Sequence, residues 1–201
     1  MSTKKQEIEP IPFIKGENVN LVVTRSEWIE LRCKWVNNPK NRRFLRGPIP
    51  NSKDNMKKRY ESRSTEGLSE WAGFILYHVK DKKPIGEVGL SRINWINGWA
   101  NVYANIGEIE YWSQNIATEA TQLLLKYAFE ELNLNKVSGS VVVENIGSWK
   151  VAEKIGFKYE GTLKEHKYID GKYRDEKCYG YLKSDWFKNK ANKMNEEKNH
   201  E

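Results

Sequence analysis

With 201 residues and a mass of 23.6 kDa, the chain has the length of one domain, and a domain of that size buries roughly 70% of its unfolded surface without needing a metal or a disulfide. Hydrophobic residues make up 38% and aromatics 12%, eight of them Trp, which excludes a disordered chain. Lys and Arg number 34 against 27 Asp and Glu, a net charge of +7 that suits an anionic partner without choosing among phosphorylated cofactor, acidic peptide and nucleic acid.

Residues 1–11 are polar and read as a mobile extension, as do residues 188–201, leaving one domain over 12–187. The start, MSTKKQEIEP, lacks a secretory leader's apolar stretch, and no apolar run reaches the ~18 residues of a membrane span. Cys33 and Cys178 fit no metal spacing and no disulfide framework, so a reducing cytoplasm is expected.

Val19 to Val23 reads as a strand, after which Thr24 can cap a helix through Trp28, Leu31, Cys33 and Trp35 that ends before Pro39. Arg46 to Asn51, rich in Gly and Pro, reads as a loop, and a polar helix follows over roughly Ser52 to Ser64. Three strands come next: Trp71 to Val79, Pro84 to Ile96 and Ala100 to Ile106, with hairpin breaks at Asp81-Lys82-Lys83 and Asn97-Gly98. From Thr118 to Leu132 a helix places Ala120, Leu124, Tyr127, Ala128 and Leu132 on one face. A strand over Lys136 to Val143 and a short helix over Ser148 to Ile155, closed by Gly156, lead to a hairpin. Its arms are Lys158 to Ile169 and Lys172 to Leu182, around a type I′ Asp170-Gly171 turn. The class is α+β, a mixed and mostly antiparallel sheet flanked by helices. Trp28, Trp35 and Trp71 fall at periodic, core-facing positions and read as packing.

The segment EYWSQNIATEA, Glu110 to Ala120, joins a strand to an amphipathic helix. A helix N-terminus presents unpaired N–H groups to an anion such as a pyrophosphate, although an ordinary loop capped by Thr118 would look the same locally.

Together with LLLKYAFEELNL, ENIGSWKVAEKIGFKYEGTLKE and YIDGKYRD, and with Ile14 to Val19 and Trp35 to Pro39 near the start, this segment resembles the acetyl-CoA-dependent GNAT N-acetyltransferases. The likeness is to the RimJ/RimL type that acetylates ribosomal-protein N-termini, and it covers about residues 12 to 187. It implies the GNAT acyl-CoA N-acyltransferase fold and acetyl-CoA as cosubstrate. It places the pyrophosphate loop on Trp112 to Ala117, with the N–H groups of Gln114, Asn115, Ile116, Ala117 and Thr118 around the anion. Main-chain groups of Asn105, Ile106 and Gly107 would hold the pantetheine arm and the acetyl carbonyl, and Asn145 would hydrogen-bond the pantetheine. Ser148 would sit near the sulfur and protonate the departing thiolate.

The chain departs from that pattern in two places. Ser113 and Asn115 stand where the resemblance expects glycines; Asn tolerates positive φ best among other residues, so binding is expected to survive in weakened form. The usual base positions fall on Asn101, Ser140 and Lys167, and an alternative acidic tyrosine falls on Ala152. Glu165 is the leading substitute for the base, ahead of Glu108, Glu110 and His166. Without a strong base, α-amines (pKa near 7.7 to 8.0) are easier acceptors than lysines (near 10.4). The expected acceptor is therefore a protein or peptide N-terminus, acidic or ribosomal. The alternatives are a small amine or polyamine, and a degenerate CoA-binding or ribosome- or RNA-binding module, though no specific nucleic-acid signal is present. A homodimer is compatible with the sequence. Lys34, Lys40, Arg42, Arg43, Arg46, Lys53, Lys57, Lys58 and Arg59 form a basic rim around Gly47-Pro48, or simply a solvated face of two helices.

Overall fold

The computed structural model of the protein describes residues 9–45, 49–62 and 68–198. Eight strands form one sheet: β1 (Pro12–Ile14), β2 (Val19–Val23), β3 (Trp71–His78), β4 (Lys83–Asn94), β5 (Trp99–Ile106), β6 (Lys136–Val142), β7 (Lys158–Ile169) and β8 (Lys172–Leu182). Their spatial order is β1-β2-β3-β4-β5-β6-β8-β7. Every neighbouring pair is antiparallel except β5 and β6, which run parallel. The helices are α1 (Ile29–Asn37), α2 (Pro39–Arg42), α3 (Lys53–Ser62), α4 (Ile116–Lys126), α5 (Ile146–Ile155) and α6 (Lys183–Lys198). Among the described residues no helix is long and apolar enough to cross a membrane.

The core forms because α4 repeats apolar residues at helical spacing: Ile116, Ala120, Leu124 and Ala128 are buried on one side with Leu125. They pack on Val19, Leu21, Leu76, Val88, Leu90 and Val137 from the sheet face they cover. A π-helical stretch, Tyr127–Glu131, continues α4 where the sequence predicts one helix to Leu132. On the opposite sheet face Trp35, 1% exposed, packs with Val22, Trp28, Ile75 and Tyr77.

Glu119 binds the two ends of this core. Its carboxylate accepts from the N–H groups of Glu17 (2.7 Å), Asn18 (2.9 Å) and Val19 (3.4 Å), and from the Asn18 amide (2.9 Å). Hydrogen bonds to a charged group contribute about 1.5–3 kcal/mol each when their loss leaves donors unpaired. Glu119→Ala should therefore lower stability by about 2–3 kcal/mol in a urea titration; a loss below ~0.5 kcal/mol would show that water replaces the carboxylate freely.

Three expectations need correction. Thr24 caps nothing; it is buried, its carbonyl takes the Tyr60 hydroxyl at 3.1 Å, and a 3-10 turn at Ser26–Trp28 opens the helix instead. The C-terminal stretch read as mobile is helical to Lys198, because tertiary contacts anchor α6. Trp186 packs on Phe129 and Tyr181, Asn189 donates to the Tyr181 hydroxyl at 2.9 Å, and Lys190 pairs with Glu130 at 2.9 Å. Trp71 is only half-buried and lines the cleft described below. The loop glycine and proline at 47 and 48, with Arg46, lie outside the described residues, as do Ser64 and residues 1–8 and 199–201.

Candidate functional site

Strands β5 and β6 touch only where Trp99, Ala100 and Asn101 face Lys136, Val137 and Ser138. Beyond Asn101 they part, and ligands of open sheets bind outside the carboxyl ends of strands at such a junction. The opening is a cleft of about 1720 Å³. Its lining comes from α1 to α3 on one side, from α4 and α5 on the other, and from β5, β6, β7 and β8 between them.

One end is built by the loop into α4. Ser113 (φ 62°) and Asn115 (φ 61°) are both left-handed, the conformation for which glycine is best suited. Asn115 is the N-cap; its carbonyl takes the Glu119 N–H at 3.0 Å, the first bond of the helix. The N–H groups of Ile116, Ala117 and Thr118 are therefore left without a helical acceptor, at the positive end of the dipole. Thr118 is buried inside the first turn and is not the cap. The Asn115 side chain makes no cap bond but accepts from Lys154 Nζ of α5 at 3.0 Å, which sets a cation beside the loop. Gln114 is turned back, its amide donating to the Glu110 carbonyl at 2.6 Å.

The edge of β5 continues the cleft. The Gly107 N–H donates to the Ile85 carbonyl at 2.8 Å, which the Glu108 N–H shares at 3.0 Å, and the Gly107 carbonyl accepts from Asn41 Nδ2 at 2.8 Å. Both main-chain groups of Gly107 are thus engaged, and Asn105, opposite Glu87 in the same alternation, also turns its main chain to β4, so the expected main-chain hold on the pantetheine arm narrows to Ile106. Alternation along an antiparallel strand turns the Ile106 N–H and carbonyl away from β4 toward the opening, where that carbonyl takes the Trp112 indole N–H at 2.9 Å. Asn105 Nδ2 and Asn41 Oδ1 are buried without a partner, and both residues line the cleft. An orphaned buried amide carries a desolvation penalty of about 1–3 kcal/mol. The amide and carbonyl groups of an acyl-pantetheine chain supply complementary partners.

On the far wall Asn145 opens α5, and Ser148 lies in its first turn; both line the cleft. Ala152 follows one turn on, and beside it Tyr179 donates to Glu153 Oε1 at 2.9 Å. Burial, reinforced by that carboxylate, pushes the Tyr179 phenol up to about 12, so it stays protonated and is a poor proton donor.

The structure separates the candidate bases. Glu108 is held by the Trp35 indole N–H at 2.8 Å and Lys34 at 3.3 Å, and Glu110 pairs with Lys83 at 3.4 Å. Neither lines the cleft, and neither does Glu165, which sits exposed with φ 48° on a bulge of β7 while its N–H donates to Asp175 Oδ1 at 2.9 Å. Three carboxylates do line it: Glu87, tied to Arg32, Asp170, tied to Arg43, and Glu176 of β8, only 3% exposed. Glu176 accepts from Ser140 Oγ at 2.9 Å, and Lys167 Nζ stands 3.8 Å and His166 Nε2 3.5 Å from Oε2. Ser140 and Lys167 are two of the positions where a base was expected and missing. Sequence reasoning passed over Glu176 because no motif marks it. Its only signal is strand alternation, which puts it on one face of β8 with Cys178 and Gly180.

The wall on the α1 side holds a buried ion pair: Arg32 donates to Glu87 Oε2 through Nε (2.9 Å) and Nη2 (2.8 Å). Of the basic rim, Lys34, Arg43, Lys53 and Lys57 are paired with Glu108, Asp170, Glu30 and Glu61, while Lys40, Arg42 and Arg59 line the cleft. Paired surface cations of this kind contribute little field.

Residues 21–158 match the model of the acetyltransferase (GNAT) domain. A Bacillus subtilis protein named putative ribosomal N-acetyltransferase YdaF is 36% identical over 101 residues, 50% of this chain and 55% of its own length. Spermidine N(1)-acetyltransferase of Vibrio cholerae is 36% identical over 103 residues, 51% of this chain and 59% of its own. The chain thus spans little more than half the length of the curated relatives it matches. Among solved structures, the Vibrio cholerae spermidine N-acetyltransferase in complex with CoA and spermine superposes with a TM-score of 0.78 at 26% identity, covering 84% of this chain and 98% of that one. The family model covers more than half of the chain, which belongs to the GNAT acetyltransferase family.

Proposed function

We propose that the protein transfers an acetyl group from acetyl-CoA to a small primary amine. The observation that carries the cosubstrate is the parting of β5 and β6 beside a left-handed loop that leaves the first N–H groups of α4 unpaired. Ile116, Ala117 and Thr118 would take the pyrophosphate with Lys154 near by, the Ile106 edge and Asn105 would take the pantetheine, and Asn145 and Ser148 would face it from α5. The amine attacks the thioester directly, and catalysis rests on positioning and on a main-chain donor to the developing oxyanion, the Ile106 N–H.

The acceptor differs from the expected protein α-amine. That expectation rested on the RimJ/RimL likeness and on the absence of a base at the usual positions; Glu176, bonded to Ser140 in the cleft, weakens the second ground, since a carboxylate base near the acceptor would open the site to amines of high pKa. The similar structure with the near-complete overlap is a polyamine enzyme, which supports the small-molecule reading. Spermidine is the first acceptor to test. Release of CoA thiol on mixing the protein with acetyl-CoA and spermidine should exceed the rate without amine by at least about tenfold. Turnover of a short N-terminal peptide but not of spermidine would return the assignment to α-amines.

A further inference from the structure

We propose that Glu176 is the general base of the reaction and that His166 passes its proton to water. The inference rests on the acetyl-transfer reading above and adds the group that makes the acceptor nucleophilic. Leu163 pairs with Glu176, yet Lys167 pairs with Arg174, so residues 164–166 bulge out of the ladder. A bulge re-aims side chains near a site, and here it brings both His166 and Lys167, adjacent in sequence, to the same carboxylate oxygen. Ser140 holds the other oxygen from β6. Glu176 is thus oriented from two strands, faces the cleft where the acceptor must approach, and contacts one half-exposed imidazole that leads outward.

The protons then balance. The acceptor enters as an ammonium and gives one proton to Glu176. The freed nitrogen lone pair forms the C–N bond at the thioester carbon, and the carbonyl electrons move to oxygen. Collapse of that intermediate breaks the C–S bond, the second nitrogen proton ends on the sulfur as CoA thiol, and His166 conducts the first from Glu176 to solvent.

A carboxylate that merely stabilises the hairpin would occupy the same place, so the test must separate the roles. Glu176→Gln keeps the size and the bond to Ser140. With spermidine as acceptor, its kcat near neutral pH should fall about 100-fold, within the usual range for general-base loss, while KM for acetyl-CoA stays within about twofold. The deficit should shrink as pH rises toward the amine's own pKa, near 10, because solvent then supplies neutral amine. A kcat within about threefold of the unaltered enzyme, or a deficit constant with pH, would overturn the proposal. If the Gln variant does not fold, the exchange Ser140→Glu with Glu176→Ser decides, since it moves the carboxylate to the adjacent strand. Recovery of activity supports a base at this point, and an inactive exchange variant that still binds acetyl-CoA overturns it. An unaltered chain that binds acetyl-CoA yet acetylates neither spermidine nor a peptide amine also overturns it. Failure to bind acetyl-CoA at all removes the proposed function itself.

Discussion

Gly107→Ala should destabilise the protein by about 2–3 kcal/mol, the upper part of the usual range for overpacking. A Cβ at this position would overlap the Trp35 indole. That ring is held by Val22, Trp28, Ile75 and Tyr77, and its N–H is committed to Glu108, so it has no free direction in which to retreat. The strain would instead move the end of β5, where the Ile106 edge and Asn105 face the cleft, and acetyl-CoA affinity should fall with stability. Urea unfolding would show a lower midpoint at unchanged slope. The matched control is Gly147→Ala in α5, where an added Cβ meets nothing within 4 Å. It should stabilise by about 0.5–1 kcal/mol through helix propensity. Equal effects at the two glycines would show that the Trp35 contact does not constrain the strand.

Asn115→Asp should lower acetyl-CoA affinity at least about tenfold, or 1.4 kcal/mol, while leaving stability equal or slightly higher. The two effects part because they act on different partners. In the free protein an aspartate is favoured by the α4 dipole and by Lys154 at the end of its side chain. In the complex the same carboxylate, at the α4 terminus that would hold the pyrophosphate, repels that anion and withdraws Lys154 from it. Calorimetric titration beside thermal unfolding separates the two effects. Unchanged affinity would move the pyrophosphate away from the α4 terminus.

Features written in local chemistry were readable from the sequence. Asp170 (φ 50°) and Gly171 (φ 78°) form the left-handed turn that fixes β7 and β8 at their predicted ends. Gly156 (φ 115°) closes α5, and the apolar spacing of α4 names its buried face. The left-handed state of Ser113 and Asn115 follows from their positions in a loop that favours glycine. The anchoring of α6 was hidden because it comes from Trp186 against Phe129 and Tyr181, a contact between distant segments, while the helix itself is polar. Glu176 was hidden for a related reason. Its partner Ser140 lies 36 positions earlier, and the β7 bulge breaks the two-residue alternation that assigns side chains to faces. Counting along the strand therefore cannot show that His166 and Lys167 meet one carboxylate.

The opening between β5 and β6, with the α4 loop at its end, is expected to take acetyl-CoA. Isothermal titration of the protein with acetyl-CoA, with CoA and dephospho-CoA alongside, tests it most directly. The geometry predicts saturable binding in roughly the micromolar range, about 8 kcal/mol, that weakens in Asn115→Asp. No heat of binding at millimolar acetyl-CoA would contradict it, and would mean that Ser113 and Asn115 close the loop to pyrophosphate.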